Sequence, residues 1–141
     1  MKNIHIVNGP NLHNIGTREP TIYGSFSFDV FFNQLKNDYK EKANLYLFQS
    51  HSEGAIIKHL YAIDNNSDGI ILNAGAYTHY SYAIADAIRA LKTAVVEVHI
   101  SNVYSREDFR HKSVLSPYVK GVIAGFGLLS YKLALEYFLA I

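Results

Sequence analysis

Five short apolar runs, at residues 4–7, 45–48, 69–72, 94–98 and 119–124, are separated by segments whose apolar residues recur at helical spacing. Strands that are apolar at nearly every position are buried on both faces, as in a parallel sheet covered by helices on either side. Five such strands joined by right-handed crossovers make an α/β, flavodoxin-like doubly wound parallel sheet in three layers, with strand order 2-1-3-4-5. The 141 residues are enough for one core and too few for two, so the expectation is a single domain over residues 1–141.

The helical segments carry their own signals. Phe28, Phe31, Phe32, Leu35 and Tyr39 fall on one helix face, with Ser27 as N-cap and Asp29 in the first turn. A second helix, at residues 52–65, turns Ile56, Leu60 and Ile63 inward and ends in the turn cluster Asp64-Asn65-Asn66-Ser67. A third is expected to bury Ala83, Ile84, Ala87, Ile88 and Leu91, with His79, Tyr82 and Asp86 on its opposite face. A last helix at residues 128–139 closes the chain.

Composition removes several classes of function. The charge is +1, from 13 basic and 12 acidic residues spread along the chain, which argues against nucleic acid or an anionic membrane as partner. With no cysteine there is no disulfide, thiolate catalysis or Cys-based metal site. The seven histidines lack the i, i+4 zinc-helix spacing, and no carboxylate cluster suggests calcium or magnesium, so no metal is expected. Met1 leads almost at once into an apolar strand, without a signal-peptide pattern or a membrane span, and a cytoplasmic protein is expected.

The active region of a doubly wound sheet lies where strand order reverses, here between the first and third strands. Residues 8–24 follow the first strand as a long loop rich in glycine, proline and asparagine, more than a strand-to-helix connection needs and typical of a functional lid. Arg18 and Tyr23 lie within it, although an arginine and a tyrosine in such a loop can also be plain surface groups. The loop has neither a Gly-x-Gly-x-x-Gly nor a Walker pattern, and its prolines remove amides that a phosphate cradle would use, which argues against a nucleotide.

In the fourth strand, period-two alternation places Glu97, His99 and Ser101 on one side and Val96, Val98 and Ile100 on the other. A glutamate buried there without a partner costs several kcal/mol, on the order of what is lost when one half of a buried ion pair is removed, so a Glu97–His99 pair is expected. The carboxylate favours an imidazolium that can donate a proton, although such a pair can also be purely structural. Asn73, at the end of the third strand, can hold a water or an oxyanion, or simply shape a turn. Residues 105–108 resemble a capping box that starts a short helix and sets Arg106 and Arg110 one turn apart, where they can clamp a carboxylate or remain solvated.

These motifs converge on one family. Asn8-Gly9-Pro10-Asn11, Gly16-Thr17-Arg18-Glu19-Pro20 with Ile22-Tyr23-Gly24, Phe48-Gln49-Ser50 with Ser52-Glu53-Gly54, Gly75-Ala76-Tyr77-Thr78-His79, Val96-Glu97-Val98-His99-Ile100-Ser101-Asn102 and Phe109-Arg110-His111 stand in the order and spacing of the type II 3-dehydroquinate dehydratases. The chain resembles that family over nearly its whole length. The resemblance implies dehydration of 3-dehydroquinate to 3-dehydroshikimate in the shikimate pathway, with no cofactor, by a homo-dodecamer. It further implies Tyr23 as base with Arg18 as its activator, His99 as acid held by Glu97, and Asn11 as a supporting loop residue. Asn73, His79, Ile100, Ser101 and Arg110 resemble the substrate-binding set, Arg106 a lid contact, and Asp86 a residue that reaches a neighbouring subunit's site.

The chain departs from the family at His13, Asn14, Ala74 (usually proline) and Ala85 (usually arginine). The chemistry suits the residues: a tyrosine of pKa ~10 is only roughly 0.1% ionised at neutral pH, and a close guanidinium lowers such a pKa by about 1 to 3. Arg110 would hold the substrate carboxylate. The competing reading is a non-enzymatic flavodoxin-like module that binds a small acid or a flavin in the same crevice.

Overall fold

The computed structural model describes residues 1–12 and 27–141. Arg18, Tyr23, His13 and Asn14 lie outside the described residues. Five strands, β1 (Lys2–Asn8), β2 (Ala43–Gln49), β3 (Gly69–Asn73), β4 (Val95–His99) and β5 (Gly121–Ala124), form one parallel sheet. The order is β2-β1-β3-β4-β5, as the alternating pattern predicts, and the fold is flavodoxin-like. Helices α1 (Phe28–Asp38), α2 (Glu53–Ile63), α3 (Tyr82–Ala90) and α4 (Leu129–Ala140) connect and cover the strands.

The sheet separates two apolar layers. On one side Ile4, Ile6, Leu45, Ile71, Val96 and Val98 pack against Phe28, Phe32 and Leu35 of α1 and Tyr131, Leu135 and Phe138 of α4. On the other, Val7, Ile70, Leu72 and Val95 meet Ile56, Leu60 and Ile63 of α2 and Ile84, Ala85 and Ile88 of α3. Strand alternation assigns residues to layers, because successive side chains leave opposite faces of a pleated strand. Full burial of a Leu, Ile or Phe side chain stabilises by about 1.5–3 kcal/mol, so these two layers supply most of the driving force.

Caps set the helix boundaries. Ser27 Oγ accepts from Val30 N–H, and Ser52 Oγ accepts from Ala55 N–H, each satisfying a first-turn donor without an intrahelical partner. Tyr39 is the C-cap of α1 rather than part of it.

Three local expectations are corrected. Ser81 caps α3 through Ile84 N–H, so His79 sits in a preceding 3₁₀ segment, Gly75–His79, and shares no helix face with Tyr82 and Asp86. Starting the helix at Tyr82 also turns Ala85 inward, while Ala83 is exposed and Leu91 is only partly buried. The expected helix opening at Ser105 is two 3₁₀ turns, Val103–Ser105 and Asp108–His111. Asn102 caps the first, and the Ser105 hydroxyl is spent on the Asn102 carbonyl at 2.8 Å. The fifth strand is shorter than the apolar run, since a 3₁₀ turn containing Pro117 occupies Ser116–Tyr118 and the ladder begins at Gly121.

Candidate active site

The C-terminal ends of β1, β3 and β4 meet at the expected reversal of strand order. Gly9 N–H donates to the Asn73 carbonyl at 2.7 Å and Ser50 N–H to the Asn8 carbonyl at 3.1 Å, while Gln49 Nε2 donates to the Gly9 carbonyl at 2.6 Å. The strand-end loops are thereby tied together. Gly9 is required: a Cβ there would stand 2.4 Å from the Ala74 carbonyl oxygen. Gly75 (φ 61°) and Asn11 (φ 69°) take left-handed backbone conformations, which glycine and asparagine tolerate best.

Beside this junction lies a pocket lined by Asn11, Asn73, His79, His99, Ile100, Ser101, Arg106 and Arg110, with Pro10, Leu12 and Val103 among its walls. Eight residues singled out in the sequence thus share one cleft. Glu97 stands behind it and is 1% exposed. Asp86 is not brought to the pocket: it lies on the exposed face of α3, with Arg89 Nη1 3.8 Å from its carboxylate.

His99 and Glu97 make the expected pair, with His99 Nε2 2.6 Å from Glu97 Oε2. The other oxygen, Oε1, accepts from Ser113 Oγ at 3.0 Å and Ser116 Oγ at 2.9 Å. Three partners satisfy this buried carboxylate, the condition under which a buried charge is tolerated. Neither serine was legible as a site residue. Ser113 lies in a loop and Ser116 opens a single 3₁₀ turn, places with no period to read, and only the need of Glu97 for further donors points to them.

His79 is held differently. Its Nδ1–H donates to the Lys112 carbonyl at 2.8 Å, which leaves Nε2 as the acceptor of a neutral ring. Burial lowers its pKa; the Lys112 carbonyl opposes that, and the neighbouring His99 and Arg110 add to it. Its ring centroid is 6.3 Å from that of His99.

The two arginines frame the mouth of the cleft. Arg110 Nε is 3.3 Å and Arg106 Nε 3.7 Å from Glu107 Oε1, and Arg106 Nη1 reaches Ser101 Oγ at 3.5 Å. Glu107 is held below its ordinary pKa first by its own backbone N–H, against the opposing effect of burial, and then by Arg110 and Arg106. The site therefore offers a buried imidazole on a carboxylate, a carboxamide, a second histidine and two guanidiniums, a set suited to an anionic substrate and to proton transfer. Among the described residues, no three His, Cys, Asp or Glu side chains gather as a metal site, and no helix is long and apolar enough to cross a membrane.

Known proteins carry the same arrangement of strands. A type II dehydroquinase from Butyrivibrio crossotus superposes with a TM-score of 0.94 at 44% identity, covering 97% of each chain. One from Propionibacterium acnes gives 0.95 at 39% identity, covering 100% of this chain and 98% of the other. In sequence, a 3-dehydroquinate dehydratase from Caldicellulosiruptor saccharolyticus is 50% identical over 137 residues, covering 96% of this chain and 94% of the relative. The family model described as Dehydroquinase class II matches residues 2–139, which take in every strand and every pocket residue, and the chain belongs to that family.

Proposed function

We propose that this chain is a hydro-lyase that dehydrates 3-dehydroquinate to 3-dehydroshikimate through an enolate, as one catalytic domain without a cofactor. Family membership and the curated relatives named 3-dehydroquinate dehydratase support the activity. The observation that carries the mechanism is the buried His99–Glu97 pair at 2.6 Å, opening into a cleft rimmed by Arg106 and Arg110.

Chemically, a base removes the proton next to the substrate ketone and the electron pair moves onto the carbonyl oxygen as an enolate. The enolate then collapses as the β-hydroxyl leaves, taking a proton from His99 and departing as water. Glu97 supplies the counter-charge of the imidazolium. Tyr23 is the base and Arg18 its activator, by resemblance to the family. Asn73 serves the enolate through a water, His79, Ile100 and Ser101 bind the substrate hydroxyls and carboxylate region, and Arg110 holds the carboxylate by a charge-assisted pair. Asn11 and Arg106 support the closing loop. Asp86, exposed on α3, acts at a neighbouring subunit's site, in a homo-dodecamer working in aromatic biosynthesis in the cytoplasm.

The test is enone absorbance with 3-dehydroquinate. Turnover that survives borohydride treatment in the presence of substrate is expected, since no lysine lines the pocket among the described residues. A covalent adduct with loss of activity would point to a Schiff base, and no turnover would leave a small-acid or flavin-binding module. Tyr23→Phe should abolish turnover while substrate still binds, and Arg18→Gln should move the basic-side limb of the pH–rate profile upward. Light scattering that found a monomer would remove the role given to Asp86.

A further inference from the structure

We propose that Tyr131 of α4, buried beneath the cleft, is the positioning residue that sets the orientation of the Asn73 carboxamide. Asn73 lines the pocket and is 3% exposed. Its Oδ1 accepts from Gly75 N–H at 3.2 Å and its Nδ2 donates to Tyr131 Oη at 2.9 Å; Tyr131 Oη in turn donates to Asn8 Oδ1 at 2.8 Å.

The direction of this relay follows from one group that can only donate. Gly75 N–H requires an oxygen opposite it, so the Asn73 amide cannot flip without setting two donors against each other. Its nitrogen therefore faces Tyr131, whose hydroxyl must accept from Asn73 and pass its own hydrogen to Asn8. One Nδ2 hydrogen of Asn73 is committed to Tyr131, and the second remains as a donor of fixed direction for the cleft.

Packing does not account for the hydroxyl. The Tyr131 ring sits edge-on to Phe28 at 4.9 Å and 6.1 Å from Phe31, contacts a phenylalanine would keep. Asn8 and Tyr131 are both 0% exposed, and Asn8 Nδ2 is left without a hydrogen-bond partner among the described residues. A buried donor left over in this way opposes stability, and an apolar trio would avoid it. The relay carries that one orphan donor while fixing the direction of the Asn73 amide, as expected where polar groups orient a working group.

The catalytic consequence rests on the dehydratase reading, so the test has two arms. In steady state, Tyr131→Phe should lower kcat by about 10- to 100-fold, the effect of misplacing a reacting group by about an ångström, with KM changed less than about twofold. In an Asn73→Ala background the same substitution should change kcat by less than about twofold, because coupled residues are non-additive. An equal fall in both backgrounds, or none in the native one, overturns the proposal. The second arm needs no substrate: hydrogen exchange of the Asn73 side-chain amide, read by nitrogen-15 NMR, should quicken by about tenfold or more in Tyr131→Phe as its hydrogen bond is lost. Unchanged exchange overturns the positioning role even if dehydration is confirmed, and quickened exchange upholds it even if the native protein proves inactive on dehydroquinate. Should Tyr131→Phe not fold, Asn8→Ala, which removes the acceptor of the hydroxyl, is read in the same two ways.

Discussion

Replacing Glu97 by glutamine keeps the side chain's shape and exchanges one oxygen for an amide nitrogen. The surroundings decide which side receives the nitrogen. Oε1 takes hydroxyl hydrogens from Ser113 and Ser116, and Ser113 Oγ already accepts the N–H groups of Leu115 at 3.1 Å and Ser116 at 3.0 Å. Ser113 has no lone pair left for a new donor, so the glutamine oxygen stays with the serines and its NH₂ turns to His99. There it faces Nε2, at the place where a carboxylate oxygen lay 2.6 Å away. A protonated ring would set donor against donor. The imidazolium loses a charge-assisted bond worth about 1.5–3 kcal/mol, which at about 1.4 kcal/mol per factor of ten lowers kcat by about 10- to 150-fold. The enone assay over a range of pH measures this, with thermal unfolding as the control, and the serine bonds should hold the melting temperature within a few degrees. A kcat within about twofold of the native value would refute the view that Glu97 works through the charge of His99.

Two further outcomes follow from the same geometry. Gly9→Ala must open a 2.4 Å approach to the Ala74 carbonyl, moving backbone at the strand junction; a loss of about 1–3 kcal/mol in denaturant titration, with a damaged cleft, is expected, and native stability would contradict the close approach. Burial lowers the pKa of His5, His59 and His79 from the ordinary 6.5, so the folded protein prefers them neutral. Their contribution is fully present above that value and is lost as pH falls below it toward their folded values, and unfolding followed from pH 8 to 5 should show stability declining through that window, whereas a flat profile would count against these buried neutral rings.

The parts of the molecule that repeat were readable in the sequence. Strands β1, β3 and β4, inside the sheet, announce themselves as apolar runs because burial on both faces leaves little choice of residue, whereas edge strand β2 keeps its run although Tyr46 is exposed. Helix α1 is marked by its cap and by Phe28, Phe31, Phe32 and Leu35 on one face, with Tyr39 at the C-cap. The Glu97–His99 pair was legible for the opposite reason, as two polar residues where the pattern calls for apolar ones. What escaped was set by single hydrogen bonds. The Ser81 cap starts α3 at Tyr82, which puts Ala85 and not Ala83 in the core and leaves His79 outside the helix. Ser113, Ser116 and Tyr131 act through contacts 16, 19 and 58 residues distant along the chain, a separation that no local pattern encodes. Arg18 and Tyr23 lie outside the described residues, and their roles rest on family resemblance alone.

The central claim is that one group removes the proton and another, His99, expels the hydroxyl. It is tested most directly by following 3-dehydroquinate with His99→Ala in deuterated water, reading enone formation by absorbance and exchange of the proton next to the ketone by NMR on the same sample. With leaving-group protonation lost, dehydration should fall by about 10²- to 10⁴-fold while exchange of that proton continues. Dehydration near the native rate, or loss of exchange and dehydration together in a folded variant, would contradict the assignment.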